Sequence, residues 1–293
     1  MKYTFKEFQA EYPDDGACLD RIFTIQFGSH EIICPTCGVH GKFNRIAKRR
    51  AYACSHCGHH VYPCVGTIFE KSRTPLTNWF FAMYLMTSTR HGVAAKELER
   101  QIGCTYKTAW RMAHELRKLM AAASDQTLLS GHIEVDETYV GGKQTQDDRR
   151  IEGSNKTIVF GMYERDRDIM RTGTVYSASQ ADLVPIIQNH VKVGSTISSD
   201  ENQAYAKLDT SYRHETVTHS AGEYARGKHH VNNLESHWGQ LKRSIRGTHI
   251  HVSSQHLWKY AAEFAYRWNM RKSHEAMFNR LIASFSLPRP ADY

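Results

Sequence analysis

The sequence lacks the features of several protein classes. Its 7 cysteines, 7 prolines and 19 glycines among 293 residues are too few for a disulfide scaffold or a collagen-like chain, and 41% apolar residues exclude a disordered one. The longest apolar run, Trp79 to Met86, is far shorter than the roughly 20 residues that cross a bilayer. The first residues contain no apolar leader segment. With an odd number of cysteines, this predicts a cytoplasmic protein without membrane contact.

The net charge of +8 is unevenly distributed along the chain. Residues 1–125 contain 17 basic and 11 acidic side chains, and residues 226–272 contain 9 basic and 2 acidic ones. Residues 126–225 contain 10 basic and 15 acidic side chains. An acidic middle between two basic ends indicates a polyanionic partner that is held at the ends.

Two CxxC pairs form the clearest metal-ligand pattern. In each pair two thiolates can face one ion, and the glycine that follows permits the chain to bend behind them. Four thiolates are the ligands of a tetrahedral structural zinc site. We therefore predict a zinc ribbon within residues 1–70, whose hairpin cations Lys48, Arg49 and Arg50 suit phosphate contact. The predicted Zn²⁺ ligands are Cys34, Cys37, Cys54 and Cys57.

Residues 71–125 predict a helical DNA-binding region with a helix-turn-helix. The pattern favours a helix over 93–101, a turn at 102–104 and a second helix from Thr105 to about Met120. Gly103 permits the turn, and the basic second helix is suited to the major groove of DNA. An ordinary helical hairpin is the alternative. The predicted DNA-binding residues of this helix are Lys107, Arg111 and Lys118.

From Gly131 onward the residues alternate as in a β-strand, with Ile133 and Val135 on one face and Glu134 and Asp136 on the other. Further strands are predicted at 156–164, 168–177, 195–200 and 212–218, and helices at 180–191 and 232–244. This order is typical of an RNase H-like domain. The predicted fold class is α+β multidomain, with a zinc ribbon, a helix-turn-helix segment and an α/β RNase H-like domain over 126–293.

Three carboxylates occupy positions that this fold can bring together. Asp136 lies within a strand, Asp200 ends another, and Glu235 lies on the first turn of a later helix. Such a set can hold two divalent cations roughly 4 Å apart for phosphoryl transfer, and its oxygen ligands suit Mg²⁺ or Mn²⁺. Lys242, two turns beyond Glu235, suits a DNA phosphate.

Two segments give the sequence a family resemblance. The run VDETYVGGK at 135–143 resembles the segment around the first catalytic aspartate of bacterial insertion-sequence transposases of the ISXO-like type, and NNLESHWGQLKR at 232–243 resembles their third motif. The tail that follows, the zinc ribbon and the helix-turn-helix extend the resemblance over nearly the whole chain.

The resemblance implies a DDE-type transposase that binds transposon ends, cleaves DNA and joins the freed 3′-hydroxyl to target DNA. Asp136 and Asp200 match the first two catalytic positions. Glu235 is our choice for the third, with Asn232 as the alternative and His237 as a lesser candidate. The resemblance also implies contact with double-stranded DNA, both terminal inverted repeats and target, a homo-oligomer and a bacterial, nucleoid-associated location. Arg243 is a further predicted DNA contact.

Two other functions fit the same residues. One is a zinc-ribbon/helix-turn-helix DNA-binding regulator with a non-catalytic RNase H-like domain, and the other is a nuclease without strand transfer. The complete carboxylate set favours an enzyme over the regulator, because a protein that only binds DNA has no physical need for it.

Half of the 18 histidines lie from His214 onward, and we expect most of them to face solvent or DNA. The aromatic stretch from Trp258 to Trp268 predicts a helix that packs into the core.

Overall fold

The computed structural model describes residues 3–141, 156–206, 208 and 210–288. They form two compact units. The ribbon-helix unit contains residues 3–89, 95–119 and 273–288, and the sheet unit contains the remainder. No helix in the described ranges is both long and apolar enough to cross a membrane. Gly142 and Lys143, at the end of the first family-like segment, lie outside the described residues.

The ribbon-helix unit contains short strands and six helices among its described residues. These are α1 (Phe5–Glu11), α2 (Asp15–Phe27), β1 (Glu31–Ile33), β2 (His40–Arg45), β3 (Tyr52–Cys54), β4 (His60–Val61), α3 (Leu76–Ser88), α4 (Ala95–Ile102), α5 (Tyr106–Ala122) and α9 (His274–Ala283).

The predicted ribbon hairpin is confirmed as β2 and β3, within an antiparallel sheet of order β1-β2-β3-β4. Phe43 and Tyr52 are buried in this sheet, and Phe23 of α2 packs against Tyr52 with ring centroids 4.3 Å apart. A ribbon alone forms little core, so α2 supplies apolar surface that the short strands lack.

The predicted pair of helices with a short turn is confirmed, but α4 begins at Ala95, two residues later than expected. Gly103 has a φ of +72°, a left-handed conformation that glycine adopts without strain. The Thr105 hydroxyl accepts a hydrogen bond from the backbone N–H of Thr108 at 3.3 Å, which caps the start of α5.

The sheet unit contains one mixed sheet and three long helices among its described residues. Its elements are β5 (His132–Val140), β6 (Thr157–Glu164), β7 (Ile169–Val175), α6 (Gln180–His190), β8 (Thr196–Ser199), β9 (Arg213–Thr216), α7 (Asn232–Ser244) and α8 (Ser254–Met270). The predicted strands and helices are all present, with ends that differ by one or two residues. Their order agrees with the predicted RNase H-like domain, and the α+β multidomain class is confirmed.

The strand order is β7-β6-β5-β8-β9, in which β5, β6 and β7 pair antiparallel while β5, β8 and β9 pair parallel. The alternation along β5 is confirmed. Ile133 and Val135 belong to a core with Leu183 and Ile187 of α6. The opposite face of the sheet is covered by α7 and α8, whose buried residues include Leu234 and Phe264. β5 is therefore buried on both faces.

The prediction for the aromatic stretch is also confirmed. Within α8, Phe264, Tyr266 and Trp268 are all buried.

Candidate active site and zinc centre

The four predicted zinc ligands converge. Their sulfur atoms all lie within 4.8 Å of one another, and the Sγ atoms of Cys34 and Cys57 are 3.7 Å apart. Gly38 and Gly58 have φ values of +70° and +77°, which let the chain turn back behind each pair. Four soft sulfur donors leave no open coordination position, so this donor set fits a structural zinc ion.

The backbone around Cys34 favours the thiolate that zinc requires. Desolvation opposes ionisation of this thiol, but hydrogen bonds from the backbone at Cys37 and Thr36 outweigh it and lower its pKa to about 6. At Cys57 a backbone hydrogen bond from His59 lowers the pKa, but desolvation and the neighbouring thiols outweigh it and raise the pKa to about 12, so zinc binding must displace a proton from this cluster.

One of the three predicted phosphate-binding cations of the hairpin has a structural role instead. The Arg50 guanidinium donates to the backbone carbonyls of Ser72 and Thr74 at 2.9 and 2.7 Å, and it lies 3.7 Å from a carboxylate oxygen of Asp15. Arg50 thereby connects the ribbon to the segment that precedes α3. Lys48 and Arg49 are exposed.

In the sheet unit, Asp136 lies in β5, and Asp200 directly follows β8, the strand that pairs parallel with β5. Glu134 of β5 pairs with Ser198 of β8, and each aspartate lies two residues beyond its paired residue. Because the strands are parallel and side chains repeat every second residue, both carboxylates lie on the same face at neighbouring positions. The tertiary structure thus brings together two residues that are 64 positions apart.

The surroundings of Asp136 disfavour its charge. Only 9% of the residue is exposed, and this burial is the main reason that its pKa is raised to about 8. The neighbouring charges of Asp200 and Glu137 raise the pKa further. Burial likewise raises the pKa of Asp200. A cation between these groups would relieve both effects, so the pair fits a divalent metal with hard oxygen ligands.

Trp238 of α7 holds the Asp136 carboxylate. Its indole Nε1 donates to Oδ2 of Asp136 at 2.8 Å. The indole reaches the sheet because Gly161 of β6 pairs with Asp136, and a Cβ at Gly161 would lie 2.6 Å from the Trp238 ring. A glycine inside a strand signals such a close approach, so Gly161 is the sequence feature that points to this contact.

Glu134 fixes the start of α7 relative to β5. Its fully buried carboxylate accepts hydrogen bonds from the backbone N–H and side-chain amide of Asn233 at 3.1 and 2.6 Å, and from Nε of Arg165 at 2.7 Å. A carboxylate at a helix N-terminus satisfies free N–H groups and interacts favourably with the helix dipole. The alternation identified the face of Glu134, but not this partner.

Glu137 is a further acidic group of the site. It accepts hydrogen bonds at 2.5 Å from the Asn202 amide and the Tyr205 hydroxyl, which follow β8. Burial raises its pKa, and the charge of Asp200 adds to this effect. Asp136, Glu137 and Asp200 therefore share one acidic neighbourhood.

Glu235 lies on the exposed first turn of α7, and its carboxylate is 3.6 Å from Nδ1 of His219. His219 also lowers the pKa of Asp200, in opposition to burial, so the imidazole is close to both carboxylates. Within the described ranges only the four cysteines bring three or more ligand atoms within 4.8 Å of one another. Asp136, Asp200 and Glu235 are thus more widely spaced than the zinc ligands.

The two other candidates for the third position differ in exposure. Asn232 is exposed at the first residue of α7. His237 is 1% exposed and packs against Trp268, with ring centroids 5.5 Å apart, and burial lowers its pKa to about 3. The expectation of a solvent- or DNA-facing imidazole is wrong for His237, because its helical position faces α8.

The predicted DNA contacts are unequally accessible. Lys107 and Arg111 are exposed on α5, and Arg243 is exposed on α7. The Lys118 side chain is only 13% exposed, and its ammonium lies 3.4 Å from the Glu115 carboxylate. Lys118 is therefore engaged within its own helix.

Two family models match the chain. Residues 128–269 match the ISXO2-like transposase domain, and residues 13–60 match the transposase zinc-ribbon domain. Two separate segments of the chain are therefore similar to transposase domains. This confirms the resemblance that the two sequence segments indicated.

Two curated relatives agree with this assignment. A protein of Halobacterium salinarum, described as an uncharacterized protein in transposable element ISH50, is 28% identical over 80% of this chain and 85% of its own length. An uncharacterized transposase-like protein of Haemophilus influenzae is 28% identical over 38% of this chain and 91% of its own length.

The family matches cover both sites described above. The transposase-domain match runs from the residues before β5 to the end of α8, and it includes Asp136, Asp200, Glu235 and Lys242. The zinc-ribbon match includes all four cysteines. The helix pair α4–α5 lies outside both matches.

Proposed function

We propose that this protein is a DDE-type transposase that binds transposon ends, cleaves DNA and joins the 3′-hydroxyl to target DNA by two-metal phosphoryl transfer. The observation that carries this proposal is the parallel pairing of β5 with β8, which puts Asp136 of β5 next to Asp200, the residue that directly follows β8. A protein that only binds DNA gains nothing from a buried Asp136 that is repelled by the charge of a partly buried Asp200.

Asp136, Asp200 and Glu235 are the residues that would hold Mg²⁺ or Mn²⁺. When bound, such ions supply activation of the attacking oxygen and neutralisation of charge on the leaving oxygen. The fit rests on the oxygen donors of the two aspartates and on the raised pKa of Asp136, which a nearby cation would reverse. Glu235, on the first turn of α7, would supply the third carboxylate, and its side chain is half-exposed beside His219.

The neighbouring residues orient these carboxylates. Trp238 holds one oxygen of Asp136, which leaves the other oxygen for the metal. Glu134 fixes the N-terminus of α7 and with it the position of Glu235. Lys242 lies close enough for its pKa to respond to the charge of Asp136, as a residue that binds the reacting phosphate would.

Double-stranded DNA is the proposed partner, as transposon terminal inverted repeats and as target. Lys107 and Arg111 on α5 offer exposed cations for the first contact, and Arg243 offers one on α7, the helix that carries Glu235. For Lys118 to bind DNA, the DNA must displace the ion pair between Lys118 and Glu115. Because transposition joins two ends, we propose that the protein acts as a homo-oligomer.

The test is a cleavage and joining assay of the full chain with Mg²⁺ and DNA that carries the flanking inverted repeats. Asp136→Asn should abolish both steps and retain DNA binding. Glu215→Gln, at an exposed acidic position on β9, is the matched control and should keep full activity. Glu235→Gln should lose cleavage while Asn232→Ala keeps it; the reverse result would move the third position to Asn232.

Each alternative has its own outcome. Cleavage and joining that survive Asp136→Asn contradict the two-metal assignment. Binding without cleavage in either Mg²⁺ or Mn²⁺ favours the DNA-binding regulator, and cleavage without joining favours the nuclease.

A further inference from the structure

The Glu235 carboxylate has few groups around it that could hold it in place. It lies on the first turn of α7, and 46% of its side chain is exposed. Within the described residues, the one basic side chain inside 4.0 Å of this carboxylate is His219, whose Nδ1 is 3.6 Å from Oε1 of Glu235. A glutamate side chain loses conformational entropy when it binds a metal, so a neighbour that orients it beforehand favours binding.

His219 is itself held by the strand end that carries Asp200. Glu201, the next residue after Asp200, accepts hydrogen bonds from the backbone N–H groups of His219 at 2.6 Å and Ser220 at 3.0 Å. These two residues begin the 3₁₀ turn His219–Ala221. Desolvation would raise the pKa of Glu201, but the hydrogen bonds from Ser220 and His219 outweigh it and lower the pKa. The turn is therefore anchored one residue beyond Asp200.

The imidazole ring of His219 is also fixed within the loop that precedes α7. It lies against the ring of Tyr224, with centroids 5.3 Å apart and an angle of 36° between the planes. Burial raises the pKa of Asp200, and the nearby imidazole opposes this effect. The ring of His219 is thus close to Asp200 as well as to Glu235.

The two ring nitrogens of His219 have different surroundings. Nε2 is buried and has no hydrogen-bond partner in the described part of the chain, so a proton on Nε2 would be an unpaired buried donor. The tautomer with its proton on Nδ1 avoids this and directs an N–H group at Glu235. The distance of 3.6 Å is longer than a hydrogen bond, and contacts of this kind often tighten only when substrate binds.

We propose that His219 is a positioning residue of the acidic site: Glu201 fixes its backbone beside Asp200, and its Nδ1–H orients the Glu235 carboxylate for metal binding. A chain of contacts from Asp200 through Glu201 and His219 then sets where the third carboxylate lies. This inference rests on the proposed function, and it adds how a carboxylate on a half-exposed helix turn is held relative to a strand end.

The test measures Mn²⁺ binding to the zinc-loaded full chain, from the electron paramagnetic resonance signal of free Mn²⁺, together with Mg²⁺-dependent cleavage. An asparagine amide can place an N–H near the position of Nδ1, whereas a glutamine amide reaches the position of Nε2. His219→Gln should therefore weaken Mn²⁺ binding about 10- to 100-fold, as the loss of an orienting partner does, while His219→Asn keeps most of the affinity.

The order of these two variants separates positioning from folding, because a role in packing alone would favour the larger glutamine. His190→Gln is the matched control and should bind Mn²⁺ as the wild type does. His190 ends α6, which packs on the face of the sheet opposite to α7.

Glu201 tests the same chain of contacts from its other end. Glu201→Gln replaces one of the two acceptor oxygens and should also weaken Mn²⁺ binding, with Glu215→Gln at an exposed position on β9 as its control. Because the two residues act through the same contact, the double variant of Glu201→Gln and His219→Gln should bind Mn²⁺ no more weakly than His219→Gln alone.

Four results would overturn the proposal. They are equal losses in His219→Asn and His219→Gln, no loss in either, fully additive losses in the double variant, and Mn²⁺ binding that Glu235→Gln leaves unchanged.

Failure of this inference and failure of the proposed function give different results. If Asp136-dependent cleavage is present while the His219 variants bind Mn²⁺ as the wild type does, only the role of His219 is wrong. If the His219 variants differ in Mn²⁺ binding as expected and no DNA is cleaved with Mg²⁺ or Mn²⁺, the transposase chemistry is wrong and His219 still orients Glu235.

Discussion

The indole Nε1 of Trp238 donates a hydrogen bond to Oδ2 of Asp136 across 2.8 Å, and this bond connects α7 to the central strand at the acidic site. Residue Asp136 is otherwise in surroundings that disfavour its charge. A donor fixed by packing orients the carboxylate without supplying a charge that would compete with metal.

Trp238→Phe should lower Mg²⁺-dependent cleavage by about 10- to 100-fold, because it keeps the packing and removes the donor that orients Asp136. A titration of cleavage rate against Mg²⁺ concentration measures the effect. Trp268→Phe is the control, since Nε1 of Trp268 has no hydrogen-bond partner in the described part of the chain. Equal activity of the two variants would show that the hydrogen bond has no role in the site.

Gly161→Ala should destabilise the sheet unit by about 1–3 kcal/mol, because the new Cβ would lie 2.6 Å from the Trp238 ring and 2.7 Å from Leu234. The displaced indole should also reduce cleavage. Urea denaturation followed by circular dichroism gives the free energy of unfolding. Gly173→Ala in β7 meets nothing within 4 Å and should be close to neutral, so an equal loss in both variants would contradict the steric argument.

Cys34→Ser should release zinc and unfold the ribbon while the sheet unit stays folded, because a structural metal contributes directly to the folding of such a small segment. Zinc content and limited proteolysis measure the two effects. Cys104→Ser, outside the four-cysteine cluster, should retain one zinc per chain. One zinc per chain in Cys34→Ser would refute the assignment of the ligands.

Asp168→Asn should destabilise the sheet unit by about 2 kcal/mol at neutral pH. Burial alone would raise the pKa of Asp168, but hydrogen bonds from Lys272, Arg271 and Tyr163 outweigh it and lower the pKa to about 2. Because the folded-state pKa is below the ordinary value of 3.8, this stability is complete above about pH 4 and is lost as the pH falls through about 2.

The measurement for Asp168 is the difference in unfolding free energy between wild type and Asp168→Asn across this pH range. Asparagine tolerates the φ of +59° at this position, so the variant isolates the charge. A difference that stays constant from neutral pH down to about pH 2 would contradict the ionic origin of the effect.

The zinc centre and the strand of Asp136 were predictable because their signals are local. Ligand spacing within each CxxC pair and alternation along β5 depend on residues next to one another in the chain. The helix boundaries were less exact, since α4 begins at Ala95 where the pattern allowed Val93. The burial of His237 was missed because its environment is α8, a different element.

The residue pattern alone predicted four zinc ligands, the order of strands and helices, and Asp136 and Asp200 as candidates. Which groups surround these residues followed from the folded chain. The sequence predicted phosphate contact for Arg50 and DNA contact for Lys118, whereas the fold engages Arg50 with the backbone of Ser72 and Lys118 with Glu115. The fold also buries Glu134 at the start of α7. The physical reason is that a hydrogen bond or a steric contact depends on distance in space. Asp136, Gly161 and Trp238 become neighbours only when the strands pair and α7 packs on the sheet.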